Sequence, residues 1–275
     1  MITSIKDAPT APFRVISTKL APPMEMVRWL FERYGIDYIE EAHAPVFFTL
    51  ATNRLKLPKE LPVATLPDGT AWCGIKGFLS ELDKLTSSPN RLMGEDPAHR
   101  LRNWELVDII YKNVFWQTVQ TYYYYMIDHK ALVIPPAIDG APKFESQMVT
   151  HLYPLWKYIM IKGLDLPEFH PSKQFAMIDF AFNKIELEIT KGKQFLDGDK
   201  PGTVDIVFSA LAAPIIFPEN FGATLPEFDK LPTEFQQVIS SYRERPAGQL
   251  ILATYDLARE SEAMQQQFDD MAVAV

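Results

Sequence analysis

The chain has 275 residues, 47% of them hydrophobic, enough to bury one large core or two moderate ones. Its 35 acidic residues outnumber 27 basic ones, and the resulting net charge of -8 lacks the basic surface that neutralising phosphates requires, so no nucleic-acid partner is expected. The lone cysteine, Cys73, excludes an intramolecular disulfide and a multi-cysteine zinc site.

The opening stretch MITSIKDAPTAPF carries acid and proline where a secretion signal needs an apolar run, so a reducing, cytoplasmic location is expected. Residues 13–19 (FRVISTK) predict a short buried strand that ends at Pro22 and Pro23. A helix follows: proline suits its first turn, Glu25 suits the positive end of its dipole, and Val27, Leu30, Phe31 and Tyr34 recur at helical spacing before Gly35. Residues 36–42 alternate as a second strand, and Leu61 to Leu66 read as a third. The turn residues 67–70 then reverse the chain into a fourth strand around Ala71 to Cys73, and Leu79, Leu82 and Leu85 place a helix after it.

The polar, proline-bearing segment Thr86 to Pro97 marks a domain boundary, giving units at 10–86 and 96–262. Beyond it, residues 98–129, 172–196, 203–217, 231–243 and 246–260 have helical periodicity. Residues 130–171 are interrupted by prolines and read either as extra helices or as a lid. The most apolar window, Val204 to Phe217, is too short to cross a bilayer and contains Asp205 and Pro214, so it reads as a buried helix and no membrane partner is expected. The five histidines show no metal-ligand spacing, no metal is expected, and Cys73 reads as a buried structural thiol. Aromatics between Tyr111 and Tyr125 cover every face of their helix, so some must point away from their own core.

Three segments carry a resemblance. LAPPMEMVRWLFERYGIDYIEE, LPKELPVATLPDGTAWCGIKGFLSELDKL and FLDGDKPGTVDIVFSALAAPIIFP, in that order, resemble the first helix, the cis-proline hairpin and the buried sixth helix of the glutathione S-transferase superfamily. RERPAGQLILATY suits the late helices of that family. The resemblance implies an α/β plus all-α fold, in which a thioredoxin-like N-terminal domain precedes a larger all-helical one. It implies glutathione as co-substrate, a small hydrophobic electrophile as the second partner, and a homodimer. It also makes Asp205 the lock at the start of the buried helix, with Thr203 taking the capping role because Gly202 stands where the family has Ser or Thr.

The side chains that activate glutathione in that family are missing. Ala21 occupies the position of the Ser or Cys before the helix-starting proline, and an ungapped match puts Ser17 where other classes have Tyr. Ser17, Thr18 and Lys19 are therefore the candidate catalytic groups. The family's Glu-Ser pair aligns with Gly74 and Ile75, or with Ala71 and Trp72 in a gapped register, and neither supplies a hydroxyl or an acid. What remains is the main chain of Leu61 beside Pro62, the helix N-terminus at Gly74 and Ile75, cations at Arg54, Lys56 and Lys59 for a carboxylate, and Tyr111 and Phe115 for an apolar substrate. A non-catalytic binding or scaffold protein, or an isomerase or lyase of the same fold, are the alternatives.

Overall fold

The computed structural model describes residues 12–87, 90–189, 193–196 and 198–257. Strand β1 (Phe13–Ser17) pairs in parallel with β2 (Tyr38–Ala42) and antiparallel with β3 (Val63–Thr65), which forms a hairpin with β4 (Ala71–Cys73); the sheet order is β2-β1-β3-β4. Between β1 and β2 runs α1 (Pro22–Tyr34), opened by its two prolines and stopped by Gly35 at φ 62°, whose N–H returns to Glu32 and Phe31. A short α2 (Phe48–Arg54), not foreseen from the sequence, fills the stretch before β3, and α3 (Ile75–Leu85) follows β4. Phe13 packs its ring 5.1 Å from Phe31 and 4.9 Å from Trp72, so the buried face of β1 joins α1 and the hairpin in one core.

The expected helix at 98–129 is α4 (Pro97–Ile110), one π-helical turn at Tyr111–Phe115, and α5 (Trp116–Met126). Residues 130–171 hold three α-helices, α6 (Lys130–Ile138), α7 (Lys143–His151) and α8 (Tyr153–Gly163), and a single 3-10 turn at Leu166–Glu168. Pro154 stands in the first turn of α8 and Pro171 in the first turn of α9 (Pro171–Glu188), so these prolines start helices rather than break them. α9 ends at Glu188, short of the expected 196: Phe195 and Leu196 are buried from a loop instead. α10 (Thr203–Ile216) is buried on nearly all sides and packs against α1, α4 and α5, joining the two units. α11 (Thr233–Arg243) and α12 (246–257) complete the helical unit. The expected limits at 10 and 262, and the end of the last helix at 260, lie outside the described residues.

At the start of α10 the expected division of labour is corrected. Asp205 itself accepts from the Gly202 N–H at 2.8 Å and the Leu196 N–H at 3.2 Å, whereas Thr203 donates its hydroxyl to Leu92 O at 2.5 Å. The carboxylate at the third helical position reaches back to the N-cap N–H, which is one half of a capping box; the other half, a side-chain acceptor at 202, is absent because the residue is glycine. No helix among the described residues is long and apolar enough to cross a membrane.

Candidate functional site

A cavity of about 520 Å³ opens between the sheet unit and the helical unit. Its floor on the sheet side is the end of β1, where Ala21 N–H donates to Thr18 O at 2.7 Å and the tight turn carries the chain into α1. Thr18, Ala21, Pro22, Leu61, Gly74 and Ile75 line this side. The Leu61-Pro62 bond is cis. Leu61 lines the cavity, and among the described residues its main-chain N–H and C=O have no hydrogen-bond partner.

Gly74 is the N-cap of α3 at φ 69°, a conformation that favours glycine, and its N–H is engaged by Pro62 O at 2.9 Å. A Cβ there would stand 2.9 Å from Glu60 Oε2, so Glu60 lies directly over the start of α3. Glu60 and Lys59 both border the cavity. The sequence reading missed Glu60; the glycine at a helix start is the only signal that pointed toward a close neighbour there.

The three candidate catalytic residues separate. Ser17 is fully buried and donates its hydroxyl to Glu40 Oε1 at 2.6 Å, on the side of β1 away from the cavity lining. Lys19 pairs with Asp139 at 3.3 Å and does not line the cavity. Thr18 does line it, and its Oγ1 is buried without a hydrogen-bond partner. Arg54 and Lys56 are exposed around the end of α2, outside the cavity lining.

Ser17 belongs instead to a buried ionic cluster. Arg28 gives Glu40 two N–H bonds, from Nε at 3.0 Å and Nη2 at 2.8 Å, and its Nη1 meets Glu25 Oε1. Gly222 N–H donates to the same Glu25 oxygen at 3.1 Å. The two-pronged contact and the Ser17 hydroxyl outweigh burial and hold the Glu40 carboxyl below its usual range. Burial dominates at Glu25, whose single contact with Arg28 is too little to offset it, and its pKa rises to about 7.

The helical unit supplies the apolar wall. Tyr111 and Phe115 stack at 6.2 Å across the π-helical turn and border the cavity, which is where such turns recur in functional sites. Tyr122 and Tyr123 of α5, Ile159, Met160 and Leu164 at α8, and Phe217, Phe221 and Leu225 from the loop after α10 complete the wall. The α8 contribution had no sequence signal beyond residues 130–171 being unassigned. Tyr124 is 44% exposed and stands outside the cavity lining, whereas Trp116, though 41% exposed, borders the cavity, so the aromatic run does divide between faces.

Cys73 is half-buried rather than buried, and burial together with the Glu60 charge pushes its thiol up, away from a reactive thiolate. His43, given no role from sequence, binds Glu145 Oε1 through Nδ1 at 2.8 Å. No group of three or more His, Cys, Asp or Glu among the described residues could hold a metal ion.

No family model matches the sequence, and no curated protein matches it. Among solved structures, a glutathione transferase from Phanerochaete chrysosporium is 11% identical, with 90% of this chain and 96% of that one covered and a TM-score of 0.54. A glutathione transferase from Bombyx mori is 14% identical, with 90% and 100% covered and a TM-score of 0.51. At these identities the likeness concerns architecture, and with the cis-proline hairpin, the mixed four-stranded sheet and the buried α10 it establishes that this chain has the glutathione transferase fold, a thioredoxin-like unit followed by an all-helical one.

Proposed function

We propose that the protein binds glutathione on the sheet side of the cavity and brings its sulfur to a small hydrophobic electrophile held by the helical wall. One observation carries this reading: Thr18 and Leu61 line the same cavity, Thr18 with an Oγ1 that has no hydrogen-bond partner and Leu61 with its main-chain polar groups unpaired among the described residues. A buried hydroxyl with nothing to bond is costly, and by turning about χ1 to the cavity side it would donate to a bound thiolate and hold it in its charged form. The free main chain of Leu61 suits pairing with a peptide-like ligand. The first-turn N–H groups of α3 suit its α-carboxylate, and Glu60 beside them suits its ammonium. Lys59 is left for the other carboxylate.

In this reading the units 10–86 and 96–262 hold the thiol and the electrophile respectively. The protein works in the cytoplasm as a homodimer, for which the exposed Leu101 on α4 and Leu187 on α9 provide apolar surface. Calorimetric titration with glutathione tests the proposal: binding is expected in the native protein, and Thr18→Val should weaken it about tenfold. Absence of heat at millimolar glutathione overturns it.

A non-catalytic ligand carrier of the same fold is the second reading, favoured by Ala21 and by the engagement of Ser17 with Glu40. Turnover of an aryl halide with glutathione, lost in Thr18→Val, decides against the carrier.

A further inference from the structure

We infer that the face formed by α2, the loop after it and α8 is a docking surface for an anionic lipid bilayer. The two elements are joined: Trp156 Nε1 on α8 donates to Pro45 O just ahead of α2 at 3.2 Å, and Thr49 of α2 and Ile159 of α8 line the same cavity. Residues 44–59 and 146–164 contain no Asp or Glu but five Lys or Arg, in a chain whose acids outnumber its bases 35 to 27. The same two segments expose Leu50, Leu55, Leu152, Leu155, Tyr158 and Ile159, each between 39% and 60%, which are six of the thirteen large hydrophobic residues exposed among those described. Apolar exposure and missing acid therefore coincide.

The charge decides the occupant. Arg54 and Lys56 at the end of α2 and Lys162 on α8 are exposed and have no ion pair among the described residues, whereas Lys157 is already paired with Asp128. On α8, Leu152, Leu155 and Ile159 recur at helical spacing opposite the buried Tyr153, Trp156 and Met160, and Lys162 continues their stripe. An apolar stripe edged by cations suits the headgroup layer of a bilayer, where apolar side chains enter the acyl boundary and each cation meets anionic lipid. A protein partner fits less well, because lysine is depleted at protein interfaces. The net charge of -8 does not oppose docking, since salt screens charges more than about 10 Å away and the local face governs. The sequence expectation of no membrane partner concerned a spanning helix, which adsorption does not need. Ile159 belongs both to the stripe and to the cavity lining, so docking turns one edge of the cavity toward the lipid.

Co-sedimentation of the full chain with phosphatidylcholine vesicles, with and without about one third phosphatidylserine, tests the inference. The native protein should bind the anionic vesicles at least about tenfold more tightly than the neutral ones, and added salt should weaken that binding. Arg54→Gln, Lys56→Gln and Lys162→Gln together should lower the affinity more than about tenfold, from about fivefold for each charge. Leu50→Ser with Leu155→Ser should lower it about tenfold with the melting temperature unchanged, as both side chains are exposed and outside the cavity lining. The control is Arg91→Gln, Lys193→Gln and Lys200→Gln, an equal loss of exposed charge outside these two segments, which should leave binding unchanged. No binding to anionic vesicles overturns the inference, and it is the outcome expected if the face serves an acidic protein instead. Equal binding to both vesicles, indifference to salt, or an equal loss in the control also overturns it. Because glutathione is absent throughout, failure of the glutathione titration leaves this outcome separately legible.

Discussion

Gly222 donates its backbone N–H to Glu25 Oε1 at 3.1 Å, across a separation of 197 residues, and this bond fastens the loop behind α10 to the first helix. The same loop sends Phe221 and Leu225 into the cavity wall, so the bond links the ionic cluster to the site. A Cβ at position 222 would stand 2.4 Å from both Arg28 Nη1 and Glu25 Oε1. Gly222→Ala must therefore displace one of two buried, paired groups, and a loss of about 1–2 kcal/mol in denaturant unfolding is expected. Unchanged stability would show that the cluster yields without cost.

The cluster also sets a pH dependence. Glu25 has its folded pKa raised to about 7 from an ordinary 4.5. Between those values the folded chain holds a proton that the unfolded chain has released, so its contribution to stability falls as pH climbs through the window. Glu25→Gln removes that titration while keeping an acceptor for Gly222. Melting temperatures from about pH 5 to about pH 8 should fall less steeply in the variant, a difference on the order of 2–3 kcal/mol over the window. Parallel profiles would place the ionisation elsewhere.

Ser17 and Thr18 are adjacent in sequence but differ in what they touch, and their variants should separate. Ser17→Ala removes a hydroxyl bonded to Glu40 inside the cluster, at an expected cost of about 1–2 kcal/mol, and leaves glutathione binding unchanged. Thr18→Val removes a hydroxyl that bonds nothing, so stability should hold while ligand affinity falls. A binding defect in Ser17→Ala matching that of Thr18→Val would contradict the assignment.

The elements that bury a periodic apolar face were legible in the sequence. α1, α3 and α10 stand where Val27 to Tyr34, Leu79 to Leu85 and Val204 to Phe217 placed them, α10 ending one residue earlier at Ile216, because burial of those stripes is what makes them helices. The helices at 130–163 were hidden because Pro135 and Pro136 sit inside α6 and Pro154 opens α8, so residues that usually punctuate a chain here belong to its helices. The cavity was half legible. Leu61, Gly74 and Ile75 were placed by the resemblance of the hairpin segment to the family pattern, whereas Glu60 over Gly74, Tyr122 and the α8 residues come together only through contacts between distant segments. Ser17 and Thr18 could not be told apart from sequence, since the alternation that turns one toward Glu40 and the other toward the cavity depends on where β1 ends.

The helices at 130–163 are held to the sheet unit by a small set of polar contacts, and Glu145 is the most exacting of them. Its Oε2 accepts from the buried Ala44 N–H at 2.9 Å and its Oε1 meets His43 Nδ1 at 2.8 Å, while Trp156 Nε1 donates to Pro45 O at 3.2 Å nearby. Truncation in Glu145→Ala leaves the Ala44 N–H buried and unpaired, which costs about 1–3 kcal/mol. Because α8 and the residue that follows it contribute Ile159, Met160 and Leu164 to the cavity, the loss should appear as faster amide exchange over residues 143–163 and as weaker binding of apolar ligands, with glutathione affinity preserved. Exchange confined to position 44 and its immediate neighbours would show instead that the apolar packing of Trp156 and Tyr153 holds these helices in place without the carboxylate.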